Sequence, residues 1–315
     1  MVDALASGAS GGNPVEVQVL SSAPAGNRMD KLLLHFDTDA VPGTFDAVVA
    51  YDGGADRLAQ YGGVSADNCG KLTEGAIYTR APADKKNTAI FISGGDLDAG
   101  QRLLDAVTGA FFDRFRVSVM LDSGGCNTTA AAGVALLASQ YDIAGKTAAV
   151  LAGTGPVGQR AAVMLAASGA RRVVLTSRSL ERAEQACALM QQRFGAALEA
   201  RQCRDAAETA AALDGAQIAF GAGKTGVQLL GLPQWRDLAA LEAVVDVNTR
   251  PPAGIEGVEM TDRATSRHGK IAFGGLGVGA LKLKLHRACI AALFQTNDQV
   301  LDAPAILNLA RSLAD

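Results

Sequence analysis

The chain has 315 residues, 49% hydrophobic and 19% charged, which allows one or two domains and a sizeable core. Its net charge of −3 offers no basic face for nucleic acid, and no run approaches the roughly 18 apolar residues that cross a bilayer. The cysteines Cys69, Cys126, Cys187, Cys203 and Cys289 form no C-x-x-C pair and read as reduced thiols of a cytoplasmic protein, while His35, His268 and His286 are too scattered for a zinc site, so no metal is expected.

The N-terminus, Met1-Val2-Asp3, lacks the basic region and long apolar core of a secretory signal. Residues 1–28 are rich in Ala, Ser and Gly and read as a disordered extension. Within them, Val15 to Leu20 alternates apolar and polar and can add an edge strand. From Leu32 the pattern becomes regular. Leu32-Leu33-Leu34 predicts a buried strand, Thr44 to Ala50 a helix, Asp67 to Gly75 a second short helix, and Ala89 to Ile92 a strand stopped by Gly94-Gly95. Asp96 can cap a helix that carries Leu97, Leu104, Val107 and Phe111 on one face. Val117 to Leu121 is the next strand.

The second half repeats this rhythm. Thr147 to Ala152 predicts a strand, followed by a helix to about Ser168 that Gly169 ends. A strand at Val173–Thr176 and a helix at Leu180–Phe194 come next. Ile218–Phe220 and Val244–Val247 are later strands, and Ile271–Phe273 is expected to be the last. Strands alternating with helices imply parallel βαβ units.

Between the Thr147 strand and its helix lies Gly153-Thr154-Gly155-Pro156-Val157-Gly158, which fits G-x-G-x-x-G. Alone the motif is weak among 36 glycines; its place between strand and helix, with a second strand following, makes it specific for a dinucleotide. The first glycine permits the turn, the second lets backbone approach pyrophosphate, and the third packs helix on strand. Pro156 suits a first helical turn because it has no N–H to leave unpaired. The next strand ends Ser177-Arg178-Ser179, without the carboxylate that holds the ribose hydroxyls of NAD. Arg178, with Ser177, Ser179 and Arg182, suits a 2′-phosphate instead. NADP is therefore expected, with NAD the weaker alternative. Ala222 and Gly223, after the Ile218 strand, can lie against the cofactor without steric conflict, and Asn248, after the Val244 strand, is grouped with them.

At this point the chain resembles the NADP-dependent methylene-tetrahydromethanopterin dehydrogenases of methylotrophic bacteria, which also accept methylene-tetrahydrofolate. The resemblance runs from Met29 to the end. It rests on Phe36-Asp37-Thr38-Asp39-Ala40, Tyr51-Asp52-Gly53-Gly54-Ala55-Asp56, Met120-Leu121-Asp122-Ser123, Asn127-Thr128-Thr129-Ala130-Ala131-Ala132-Gly133, the glycine loop, and Leu281-Lys282-Leu283-Lys284-Leu285-His286-Arg287-Ala288-Cys289-Ile290. The family has Lys after the nucleotide-site arginine where this chain has Ser179, and residues 1–28 have no counterpart.

The resemblance implies two α/β domains with the active site in the cleft between them. Residues 29–143 plus 285–315 would bind the pterin, residues 144–284 would form a doubly wound, Rossmann-type NADP domain, and the chain would form a homo-oligomer, by resemblance a trimer. The implied reaction moves hydride from the methylene bridge of the pterin to nicotinamide in one-carbon metabolism. Such a step needs alignment and exclusion of water rather than a proton relay. Lys282 is the candidate catalytic residue; next to a forming cation it makes most sense as a neutral amine or as a donor to a remote pterin carbonyl. Asp37 and Asp39 either anchor the pterin or cap the turn before Pro42. Asp122, Asn127, Thr128 and Thr129 either line the cleft or cap a helix beginning at Ala130. Two alternatives stand beside this reading: a bifunctional methylene-tetrahydrofolate dehydrogenase/cyclohydrolase, and an NADPH-binding protein without turnover. A shikimate-type dehydrogenase is disfavoured because its N-terminal substrate signature is not found.

Overall fold

The computed structural model describes residues 29–314; the expected extension and its Val15–Leu20 strand lie outside the described residues. The chain begins with β1 (Leu32–Asp37), α1 (Thr44–Asp52), β2 (Arg57–Tyr61), α2 (Gly70–Tyr78), β3 (Thr88–Ser93), α3 (Leu97–Gly109), β4 (Ser118–Leu121) and α4 (Cys126–Gln140). It continues through β5 (Thr147–Leu151), α5 (Pro156–Ala167), β6 (Arg172–Ser177), α6 (Leu180–Phe194), β7 (Glu199–Gln202), α7 (Ala206–Ala212) and β8 (Ile218–Gly221). It ends with β9 (Ala243–Asp246), β10 (Arg263–Arg267), β11 (Lys270–Phe273), α8 (Gly275–Ala292), β12 (Val300–Leu301) and α9 (Ala303–Ala314).

These strands form two sheets. The first has five, in the order β2-β1-β3-β4-β12, all parallel. The second has seven, in the order β7-β6-β5-β8-β9-β11-β10, parallel except for the antiparallel β10–β11 edge. Read from β5, the second sheet has the doubly wound order of Rossmann folds, with its reversal between β5 and β8. The first sheet reverses between β1 and β3. In an open parallel sheet ligands collect beyond the strand C-termini at such reversals, where the flanking loops diverge. The chain thus builds two such mouths, one at Asp37 and Ser93, paired in register, and one at the glycine loop.

The expected alternation is present, with three corrections. Ile271–Phe273 falls in β11, which is not the last strand; β12 follows and joins the first sheet beside β4. The helix expected from Ala130 starts at Cys126, so Asn127, Thr128 and Thr129 lie within its first turns. The Asp67–Gly75 helix is displaced to Gly70–Tyr78. Asp96 does cap α3, accepting from the Ala99 N–H at 3.0 Å.

One helix joins the two sheets. Along α4, Cys126 to Thr128 and Ala130 to Leu137 are all buried, as expected of a helix that is apolar on every side. A single apolar core runs from Leu33, Phe91 and Met120 of the first sheet, through Ala130, Ala131 and Leu137, to Val150, Phe220 and Val245 of the second. Small residues let backbone and sheet approach closely. A Cβ placed on Gly133 would stand 2.9 Å from Cζ of the fully buried Phe220. Gly133→Val should therefore destabilise the protein by about 1–3 kcal/mol through overpacking, read as a lower urea midpoint. An unchanged midpoint would show that Phe220 swings aside.

Candidate functional site

The glycine loop uses each of its glycines differently. A Cβ on Gly153 would fall 2.7 Å from the Leu175 side chain, and one on Gly158 would fall 2.6 Å from the Gly153 backbone. Those two positions hold loop, strand and helix together. A Cβ on Gly155 would meet nothing closer than 4.0 Å, so this glycine leaves open the space into which α5 points. Gly155 also precedes α5 without a side-chain cap, which leaves the first N–H groups of the helix for an anion. Pro156 opens the helix, and Val157 packs into the core below.

Beside the loop lies a cavity of about 640 Å³, bordered by Thr154, Ser177, Arg178, Ser179 and Arg182. The expected cofactor residues at the end of β6 thus share one space with the loop. Ser177 is buried, Arg178 and Arg182 are exposed, and Ser179 caps α6 by accepting from the Arg182 N–H. Arg204 and Lys224 border the same cavity and were not among the expected residues. Arg204 is held by Glu208; it lies beyond the short β7, which no apolar pattern announced. The fit to a dinucleotide rests on the open Gly155 cradle and on the cations at the β6 edge. Ala222 lies beside the loop, its carbonyl 4.0 Å from where a Gly155 Cβ would be, and Gly223 packs against Leu229. The Asn248 side chain ties its own loop to the segment after β8, accepting from the Arg250 and Gly226 N–H groups and donating to the Pro252 carbonyl.

At the mouth of the first sheet, the Asp37 carboxylate accepts from the Asp39 and Gly43 N–H groups and from the Ser93 hydroxyl, at 2.8, 3.1 and 3.0 Å. It is a loop organiser with its oxygens engaged. Asp39 is exposed and accepts from the Gly95 N–H. Because Ser93 donates to Asp37, His35 Nε2 must donate to Ser93 (2.6 Å), and Nδ1 accepts from Gln60. His35 is therefore neutral, in keeping with a pKa that burial pushes down. His35, Asp37 and Asp46 bring ligand atoms within 4.8 Å of one another, but the nitrogens of His35 and the oxygens of Asp37 are already in use.

Asp122 ends β4. Its Oδ1 accepts from the Asn127 and Thr128 N–H groups and its Oδ2 from the Thr128 hydroxyl, at 2.8, 3.0 and 2.6 Å. Asn127 donates to the Leu121 carbonyl and to Asp302. Asp122, Asn127 and Thr128 are thus one buried capping network. Thr129 differs: its hydroxyl borders the same point beside Gly125 that Lys282 Nζ approaches.

Lys282 is carried by α8, which leaves the second sheet after β11 and packs its later turns against α1. Its Nζ lies 4.1 Å from the centroid of the Phe45 ring. Burial pushes the ammonium below the ordinary lysine range, against the pull of Asp122 and Asp46. One turn on, His286 is fully buried, 3.8 Å from Asp122 through Nδ1, and burial lowers its pKa to about 4. Across from them, burial raises the Asp46 carboxyl to about 6, opposed by Ser93 and Lys282. Phe45, Asp46 and His286 were not singled out from the sequence. The i, i+4 spacing of Lys282 and His286 was a usable signal, since such residues share a helix face.

Two open, almost wholly parallel sheets joined by one buried helix, one of them with a dinucleotide-type glycine loop, define a two-domain Rossmann-type fold. The fold resembles shikimate 5-dehydrogenase from Mycobacterium fortuitum, with a TM-score of 0.52, 16% identity, and coverage of 90% of this chain and 98% of that one. At that identity the likeness concerns the fold alone. Residues 44–124 match the family described as methylene-tetrahydromethanopterin dehydrogenase, N-terminal. Two proteins of Methylorubrum extorquens are similar over most of their length. "Bifunctional protein MdtA" is 51% identical over 286 residues, 90% of this chain and 99% of the relative. "NAD(P)-dependent methylenetetrahydromethanopterin dehydrogenase" is 32% identical over 246 residues, 76% and 83% of the two chains. The chain belongs to the methylene-tetrahydromethanopterin dehydrogenase family. No described helix is long and apolar enough to cross a membrane.

The Asp46 environment gives a signed pH dependence. The folded protein holds the Asp46 proton to about pH 6, and the unfolded chain only to 3.8. Between those values the folded state binds more protons, so this group's contribution to stability falls as pH rises. Asp46→Asn removes the titration and should gain several degrees of Tm on the wild type across that window. Parallel Tm–pH curves for the two proteins would refute the assignment.

Proposed function

We propose that this protein oxidises methylene-tetrahydromethanopterin, and methylene-tetrahydrofolate as a second substrate, by hydride transfer to NADP, yielding the methenyl pterin in one-carbon metabolism. Family membership supports the substrate class. The observation that carries the reading is α8, which starts beside the second sheet's mouth and delivers Lys282 to the mouth of the first. On this reading residues 29–143 with 285–315 bind pterin and residues 144–284 bind NADP, with the division at 284/285 falling inside α8. Cytoplasmic action agrees with five free, buried thiols. Assembly into a homo-oligomer, a trimer by family resemblance, agrees with the exposed Val48 and Tyr51 of α1.

NADP supplies the hydride acceptor; the chain supplies position and field. The α5 N-terminus and Gly155 receive the pyrophosphate, and Arg178, Arg182, Ser177 and Ser179 receive the 2′-phosphate. Phe45 and Thr129 border the space into which Lys282 reaches, and we place the pterin there, with Asp39 as an anchor at its rim. The reaction creates a cation, so the carboxylates of Asp122 and Asp46 lower its energy. A lysine already pushed toward its neutral form opposes that charge least.

The deciding experiment is NADP reduction with methylene-tetrahydromethanopterin and methylene-tetrahydrofolate side by side. NADPH formation with either supports the reading, while tight NADPH binding without turnover would favour a sensing protein. Formyl product accompanying NADPH would favour the dehydrogenase/cyclohydrolase. In the same assay Arg178→Ala should raise KM for NADP about tenfold or more, the equivalent of one charged hydrogen bond, and leave NAD nearly unchanged. An equal loss with both cofactors would remove Arg178 from the 2′-phosphate site. Lys282→Ala should lower kcat/KM for the pterin by about tenfold or more with NADP affinity preserved. A loss confined to Tm would make it a packing residue.

A further inference from the structure

A second cavity, of about 250 Å³, lies where α3 of the first half meets α5 and α6 of the second. It shares no lining residue with the nucleotide cavity. Three arginines border it: Arg102 on α3, Arg160 on α5 and Arg193 on α6. Arg193 is taken, since both its terminal nitrogens donate to Asp105 at 3.0 and 2.9 Å. Arg102 is exposed.

Arg160 is the unusual one. It is 1% exposed, yet its nearest acceptors answer only part of its charge. Nη2 donates to Gln101 at 2.6 Å, the Asp302 carboxylate stands 3.5 Å away, and the Phe194 ring lies 4.9 Å below the guanidinium. Nε and Nη1 have no hydrogen-bond partner among the described residues, and neither has the neighbouring Gln159 Oε1. A guanidinium buried with two donor groups unmatched is strongly unfavourable. The mismatch is that of a receptor for a negatively charged acceptor that also carries a hydroxyl: donors from Arg160, and one acceptor from Gln159. Asp98 also borders the cavity, which favours a protonated oxyanion over a fully charged one.

We propose that the cavity between α3, α5 and α6 binds one small tetrahedral oxyanion of the hydrogen-phosphate type, held by Arg160, Arg102 and Gln159. The ion would sit across the two halves of the molecule. It would be linked to the nucleotide loop through Gln159, whose Nε2 donates to the Thr154 carbonyl at 2.8 Å.

Equilibrium dialysis of radiolabelled inorganic phosphate tests this, with the full chain held saturated with NADP so that the nucleotide cavity is filled. One saturable phosphate per chain is expected, displaced by arsenate, which keeps a hydroxyl, and far less by sulfate or chloride at equal ionic strength. Arg102→Ala should bind about tenfold more weakly, Arg160→Met should bind none, and Arg178→Ala should bind as the wild type does. Should Arg160→Met fail to fold, the exposed Arg102 decides alone. Absence of saturable binding overturns the proposal, as does binding that Arg102→Ala leaves unchanged. Loss of binding in Arg178→Ala would assign the ion to the nucleotide cavity and overturn it equally.

Discussion

The molecule depends on how the buried start of α4 is satisfied. A helix enclosed by apolar neighbours can join two sheets only if its first N–H groups find acceptors away from water. Asp122 provides them: one carboxylate accepts from two backbone N–H groups and the Thr128 hydroxyl. The adjoining Asn127 ties the same end to the Leu121 carbonyl and to Asp302, at the start of α9. The cap therefore fixes the position of α4 against β4 and α9 at once. Everything that packs on α4, including α5 below the glycine loop and α8 with Lys282, inherits that position.

The same carboxylate then serves a second purpose. Asp122 lies 3.8 Å from His286 and pulls on Lys282 across the same interior. A charge retained for folding thus becomes part of the field at the mouth of the first sheet. Burial drives the three nearest titratable side chains toward neutrality: Asp46 up, Lys282 and His286 down. What remains is a partly buried, weakly charged group of side chains beside the Asp122 carboxylate, a setting in which small electrostatic differences count for more than in water.

The sequence was most informative where burial was two-sided. β1, β3, β4, β5, β8 and β9 are apolar runs bounded by turn residues, and the pattern located each to within one residue at both ends, except that β1 runs three residues beyond the expected Leu34. The glycine loop was legible because its spacing fell between a strand and a helix. The edge strands were not. β2 and β7 are largely exposed and mixed in polarity, and β12 is two residues long, so none has a periodic signature. The start of α4 was misread because its cap comes from Asp122 across Ser123-Gly124-Gly125 rather than from the residue just before the helix. The roles of Asp37 and Asp122 as loop and helix organisers needed coordinates, since their partners are mostly backbone N–H groups. Asp46 and Arg160 were invisible for a related reason: a charged residue in a helix reads as solvent-facing until the packing shows otherwise.

The proposed chemistry makes these buried groups intelligible without a proton relay. Hydride leaves with its electron pair, so no side chain has to gain or lose a proton in that step. The required change is electrostatic, from a neutral methylene bridge to a delocalised cation. A permanently charged lysine at the reacting carbon would raise that barrier, and a lysine remote from it would do nothing. Lys282 stands between these extremes, over the Phe45 ring, with burial lowering its pKa and Asp46 and Asp122 opposing that shift. Its charge is thereby coupled to the carboxylates that favour the product. A pterin entering this space would displace water from Lys282 and Asp46, whose pKa values burial already shifts toward the neutral forms. Substrate binding and the final field of the site are therefore one event, set by the packing of α8 and α4 rather than by any single catalytic side chain.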